Sequence, residues 1–369
     1  MRVIDVRRDP PSARPPEVVA TIGSFDGVHR GHRVLLGRVV ERAHQHRAHS
    51  TVITFAPHPR QVLRPDAPLS LLSTLDEKIE LLGELGLDYV LIWPFTDDVR
   101  RLPAEEFLAQ VGRYVRLRRL IHGPGFALGV GRHATGPVLS ALGRQLGFDV
   151  EEVTPVGDPL ILAAHPPDGL PPGSPPSGAT RNGEGVAQPV VGSSAKAPTT
   201  QVLSSSQVRR LIREGQVQRA AQALGRAPTL TGTVVRGEQV GRALGFPTAN
   251  LDLAGPLAVP ADGVYAGWAE TAPHSPRARR HLAAISIGMR PTFGGESRVV
   301  EAYLLDFAGD LYGQRLRLHF VARLRGQEHF DGVATLIAQM RRDAETTHAL
   351  LVPASRDTTG EDLLLAADG

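Results

Sequence analysis

The chain has 369 residues, 41% of them hydrophobic and 21% charged, which is room for two domains with separate cores and is too apolar for a disordered polymer. A net charge of only +3 with 5% aromatics supplies no basic, stacking surface, so a nucleic-acid partner is not expected. Cysteine is absent, which excludes disulfides and thiolate metal sites and suits a cytoplasmic enzyme. Residues 1–16 are polar and carry prolines without an apolar run, and no later stretch approaches bilayer-spanning length, so neither a signal peptide nor a membrane partner is expected. Nearly every basic residue is arginine, Lys78 and Lys196 being the exceptions. Arginine suits phosphate recognition, and a GC-rich genome gives the same bias.

In chain order, Glu17 to Gly23 reads as a short apolar strand ending at glycine, and His32 to Arg47 has helical spacing of Val34, Leu35, Val39, Val40 and Ala43. Thr51 to Phe55 is a second strand. Asp76 to Leu85 reads as a helix capped by Ser73 or Thr74 with Glu77 in its first turn, followed by a strand over 88–93 and a helix over 104–115. Strand–helix alternation with short connections predicts a parallel α/β sheet that binds ligands beyond its strands' carboxyl ends. Residues 164–200 are rich in Pro, Gly and Ser with few aliphatics and read as a disordered insert. Helices are expected from about Ser206 to Glu214 and Val217 to Leu224. Beyond Leu230, short strands over 231–235, 263–268, 282–287, 299–305 and 316–321 predict a small antiparallel barrel, then a closing helix over 333–347 and a frayed tail. The expected divisions are 1–163, 164–200, 201–227, 228–350 and 351–369.

Two runs carry chemistry. In the first, Gly23-Ser24-Phe25-Asp26-Gly27-Val28-His29-Arg30-Gly31-His32 opens into a helix. Two histidines three apart at a helix start face one side, and with the helix N-terminus they can steady charge on a transferring phosphate. A metal pair and a structural pair are the rival readings of that short pattern. In the second, Gly237, Gly241 and Gly245 stand four apart and are followed by Phe246-Pro247-Thr248-Ala249-Asn250. Such glycines let a backbone approach a phosphate closely, and Thr248 and Asn250 offer neutral oxygens of the kind Mg²⁺ accepts. A glycine-rich hairpin with a polar tip is the plainer alternative.

The second run resembles the signature of riboflavin kinases, and so do Pro260 to Tyr265, Ser286 to Gly295, Glu301 to Phe307 and Asp310 to Gly313, in that family's order. The resemblance implies transfer of the ATP γ-phosphoryl group to riboflavin to give FMN. Gly237, Gly241, Arg242, Gly245 and Pro247 would form the nucleotide loop, Thr248 and Asn250 would hold Mg²⁺ and phosphate, and Glu301 would be the general base. Taken alone, Glu301 would sooner be read as a solvated strand carboxylate, and it is the surrounding resemblance that reverses this. Gln327 departs from the family, which carries an acidic residue there.

The first run, with Thr54 to Arg60, Leu71 to Lys78, and Ser204-Ser205-Ser206 followed by Arg209, resembles the nucleotidyltransferase signature of prokaryotic FAD synthetases. The resemblance implies a Rossmann-like nucleotidyltransferase α/β domain ahead of a riboflavin kinase barrel with a C-terminal helix. It also implies adenylylation of FMN to FAD with release of pyrophosphate. His29 and His32 would stabilise the transition state. Gly23, Phe25, Asp26, Gly27, Gly31, Ser205, Ser206 and Arg209 would bind the nucleotide. Two departures stand out: Gly125 replaces an Asn or Asp, and Ser206 replaces a Thr. The expected whole is a bifunctional enzyme, monomeric or homo-oligomeric, using riboflavin, FMN and ATP. The alternative is a kinase whose front module has degenerated to a nucleotide- or flavin-binding regulator.

Overall fold

The computed structural model describes residues 1–153, 203–237, 241, 244–292 and 295–355. The expected insert over 164–200, Arg242 and the tail beyond 355 lie outside the described residues.

The front half alternates strands and helices: β1 (Arg2–Asp5), β2 (Glu17–Ile22), α1 (Arg30–His46), β3 (His49–Phe55), α2 (Pro59–Leu63), α3 (Leu75–Gly83), β4 (Tyr89–Trp93), α4 (Asp97–Arg101), α5 (Ala104–Val111), β5 (Arg116–His122), α6 (Gly136–Leu146) and β6 (Asp149–Glu152). The six strands form one sheet in the order β1-β4-β3-β2-β5-β6, every pairing parallel. Both faces are covered, as continuous apolar strands require. Val18, Ala20 and Ile22 pack with Phe107, Leu108 and Leu139 on one face. Val19, Val52 and Val90 pack with Leu36, Val39 and Leu82 on the other. Leaving β2, the chain builds outward through β3 and β4, then returns to place β5 on the opposite side of β2. That reversal opens a crevice at the carboxyl ends of β2 and β5, where ligands of such sheets bind.

The rear half begins with two helices, α7 (Ser205–Arg213) and α8 (Val217–Leu224). A closed barrel follows, made of β7 (Thr229–Val235), β8 (Thr248–Leu253), β9 (Gly263–Thr271), β10 (Arg279–Thr292), β11 (Gly295–Leu304) and β12 (Arg315–Arg325) in the order β10-β11-β8-β7-β12-β9. Closure leaves no edge strand exposed. Tyr265, Ile285, Ala302, Leu318 and Phe320 fill the interior. The barrel strand absent from the sequence reading is β8, where Thr248 and Asn250 read as the tip of a loop. The closing helix α9 (Val333–Ser355) is longer than expected, and Leu351 is buried rather than frayed.

Sheet and barrel touch through backbone and side chains. The Leu71 amide donates to the Pro256 carbonyl at 2.7 Å, and the Ala258 amide donates to the Leu71 carbonyl at 2.8 Å. Arg317 of β12 pairs with Glu77 at 3.3 Å and Glu80 at 2.8 Å on α3. Glu77 also accepts from the Thr74 amide at 2.8 Å, closing the capping box at the start of α3. One buried carboxylate therefore fixes the helix start and ties it to the barrel.

Candidate active sites

The crevice at the end of β2 is walled by residues 23–29, a turn with unusual backbone geometry. Phe25, Gly27 and Val28 have φ of +46°, +74° and +39°. For a β-branched residue such as Val28 this is a strained conformation, of the kind found where a site is built. A Cβ on Gly27 would stand 2.7 Å from Leu72 Cβ, so the close approach and the positive φ both require glycine there. His29 caps α1, and its Nδ1 accepts from the His32 amide at 3.3 Å. The two imidazoles stack with centroids 3.6 Å apart, and a Cβ on Gly31 would press on the His29 ring at 3.3 Å. Gly23 leaves similar room for the Phe25 ring.

Asp26 is buried and accepts from the Leu72 amide at 3.0 Å and from Arg209 Nη2 at 2.6 Å. Arg209 Nε donates to the Ser70 carbonyl at 2.8 Å, and Ser205 Oγ donates to the Asp26 carbonyl at 3.1 Å. Residues 179 or more positions apart are thus brought together, but Asp26 and Arg209 engage each other. Ser206 is exposed in the first turn of α7.

Burial holds the His29 imidazole down to about 4, with Arg226 adding to the effect. Burial likewise pushes His32 well below its usual range, with His29 and Lys78 contributing. Both rings are therefore neutral N–H donors at pH 7 rather than cations. Lys78, which carried no assigned role in the sequence, is tied to the same turn. Its Nζ donates to Thr54 Oγ1 at 3.0 Å and to the Ser24 carbonyl at 3.2 Å, and burial lowers it to about 8 against the opposing pull of Asp26. The signal was present: it is one of two lysines in an arginine chain.

The barrel carries a second site. A Cβ on Gly237 would fall 2.5 Å from the Asn250 amide nitrogen, so the absent side chain is what lets β7's exit lie against β8. The Gly241 carbonyl accepts from the Phe246 amide at 2.8 Å, and Gly245 has φ +85°, which close the turn before the exposed Pro247. In the β11–β8 ladder Glu301 lies opposite Asn250 and Tyr303 opposite Thr248. Two cavities meet there. One of about 590 Å³ is lined by Gly237, Pro247 and residues 307–312; the other, of about 240 Å³, is lined by Gly241, Glu301, Tyr303, Gln327 and part of α9. Thr248 and Asn250 border both. Among the described residues there is no cluster of three or more His, Asp or Glu able to hold a metal, and no helix long and apolar enough to cross a membrane.

The riboflavin kinase family matches residues 224–351, and the FAD synthetase family matches residues 12–159. The bifunctional riboflavin kinase/FMN adenylyltransferase of Escherichia coli K12 is 30% identical over 329 residues, covering 89% of this chain and 91% of the relative. The chain belongs to the bifunctional riboflavin kinase/FMN adenylyltransferase family. Its Pseudomonas fluorescens counterpart is 31% identical over 339 residues, covering 91% of this chain and 94% of that one. A crystal structure described as a macrolide-efflux protein from Streptococcus pneumoniae superposes with a TM-score of 0.73 at 25% identity, covering 94% of this chain and 98% of that chain. In this bifunctional riboflavin kinase/FMN adenylyltransferase family member each half has its own family match, which favours two activities over a kinase with a degenerate front module.

Proposed function

We propose that the barrel phosphorylates riboflavin to FMN and that the α/β sheet adenylylates FMN to FAD, each step drawing on ATP, in the cytoplasm. The observation that carries the kinase assignment is the pairing of Glu301 with Asn250 where two cavities share a wall. The larger cavity, behind the Gly237 turn, takes the nucleotide. The smaller takes the flavin, with its ribityl 5′-hydroxyl beside Glu301. The hydroxyl oxygen attacks the γ-phosphorus in line, its proton passes to the Glu301 carboxylate, and ADP leaves.

Thr248 and Asn250 suit Mg²⁺: both offer neutral oxygens, both line the nucleotide cavity, and a side chain at Gly237 would collide with the Asn250 amide. When bound, the ion neutralises phosphate charge. In the front crevice, an FMN phosphate oxygen attacks the ATP α-phosphorus and pyrophosphate departs. His29 and His32 serve there as neutral hydrogen-bond donors to the phosphate oxygens, with Lys78 supplying positive charge from behind the Ser24 turn. Gly23, Phe25, Gly27 and Gly31 shape the turn that receives the nucleotide, and Ser205, Ser206 and Arg209 bring the α7 N-terminus to it. Asp26 holds Arg209 in place.

Glu301→Gln tests the two-site assignment. FMN formation from riboflavin is expected to fall about a hundredfold or more, while FAD formation from FMN is unchanged. Equal loss of both steps would contradict separate sites.

A further inference from the structure

The acceptor cavity contains a polar side chain that the transfer chemistry does not use. Gln327, two residues past the end of β12, folds back onto β10. Its Nε2 donates to the Ile287 carbonyl at 2.7 Å and to Ser286 Oγ at 3.2 Å. A backbone carbonyl can only accept, so the amide's orientation is fixed. Nε2 carries both bonds, and Oε1 is left with its acceptor capacity. Gly288 makes the approach possible, since a Cβ there would stand 2.9 Å from Nε2. The neutral amide is required as well. A carboxylate at 327 could donate to neither partner and would set its negative charge against the partial negative charge of the Ile287 carbonyl oxygen.

Ser286 extends the pattern. Because its oxygen accepts from Gln327, its hydroxyl proton is turned elsewhere and available to a ligand. Ser286 lies directly opposite Glu301 in the β10–β11 ladder, and opposed residues share a face with Cβ atoms about 5 Å apart. An acceptor, a donor and the general base therefore stand in a row on one cavity wall. That sequence matches successive hydroxyls along an extended polyol.

Resting on the assignment of this cavity to the flavin, we propose that Gln327 reads the ribityl chain. Its Oε1 accepts a hydrogen bond from one internal hydroxyl, Ser286 donates to the neighbouring one, and the terminal hydroxyl is thereby set at Glu301. Gln327 is a binding and positioning residue; it does not touch the reacting atoms.

The test measures kcat and KM for phosphorylation of riboflavin and of its 2′-, 3′- and 4′-monodeoxy analogues, by wild type and Gln327→Met. FMN-to-FAD conversion reports on folding. For wild type, two analogues lacking adjacent hydroxyls are expected to show KM raised about tenfold, one through Gln327 and one through Ser286. Gln327→Met is expected to raise the riboflavin KM similarly with kcat within about twofold, and to show no further loss on one of those two analogues while the other still loses. Additive losses, or an unchanged riboflavin KM, overturn the proposal. Gln327→Ala gives the same readout if the methionine variant loses its FAD-forming activity. The Glu301→Gln arm separates the two readings. Retained FMN formation there removes the cavity assignment and this inference together. Loss of FMN formation combined with additive Gln327 effects removes the inference alone.

Discussion

At the residue scale, each chemistry-bearing side chain was visible as a type, and its partners were not. Asp26 and Arg209 both lie in runs that resemble nucleotide motifs, yet at 2.6 Å they form a buried ion pair that fastens the Ser24 turn to α7. Burial pushes the Asp26 carboxyl up, and Arg209, the Leu72 amide and Lys78 oppose it. Gly125 shows the opposite case. It has φ +67°, its carbonyl accepts from Arg132 at 2.8 Å, and a Cβ there would meet nothing within 4 Å. Asn tolerates that backbone conformation better than other non-glycine residues, so the family's polar side chain fits without displacing anything. Gly125→Asn is expected to raise the rate of FAD formation about tenfold, measured with FMN and ATP at saturation. An unchanged rate would mean that this position does not reach the phosphates.

At the element scale, helix α9 is held to the barrel by one charged clasp. Arg325 Nη2 meets Asp343 Oδ2 at 2.7 Å and Nε meets Oδ1 at 3.0 Å, while Gln339 donates to the same carboxylate at 2.9 Å. Both charges are largely buried, with side chains 15% and 8% exposed, and both border the smaller barrel cavity. Removing one partner strands the other, which typically costs about 3–5 kcal/mol. Asp343→Ala is therefore expected to lower the denaturant midpoint markedly and to raise the riboflavin KM, while the ATP KM stays near its starting value. A rise confined to the ATP KM would place α9 on the wrong cavity. Strand β8 makes the complementary point. Its sequence, Thr248 to Leu253, lacks a strong strand signal after the glycines, and it became a strand because β7 and β11 flank it.

At the scale of the whole molecule, the buried histidines couple stability to pH. His29 and His58 are each lowered to about 4 by burial, and His32 falls well below its usual value for the same reason. Unfolded, each would titrate near 6.5. Between about pH 6.5 and 4 the unfolded chain binds more protons than the native one, so stability falls as pH falls through that window. For His29 alone the slope is at most about 1.4 kcal/mol per pH unit. Thermal melts should show Tm declining from pH 7 to pH 5, and His29→Asn should flatten that decline. A Tm independent of pH over this range would show the rings to be solvated. Deleting Pro166 to Ala197 is expected to leave FMN formation intact, because the first barrel strand begins only at Thr229. Collapse of that activity in the deletion would make the segment part of the kinase fold.

The sequence by itself determined the two architectures, the order of their motifs and the family. Apolar periodicity, capping residues such as Thr74 with Glu77, and glycines at tight turns are local properties that one stretch of chain carries alone. The weak strands β1, β5 and β6 were missed because arginines and acids interrupt their apolar pattern, and only pairing within the sheet makes them strands. Tertiary structure alone decided which charges engage each other, which histidines stay neutral, and that Thr248 and Asn250 border two cavities. Those outcomes depend on burial and on contacts between residues far apart in the chain, 183 positions between Asp26 and Arg209 and 237 between Glu80 and Arg317. No local pattern encodes them.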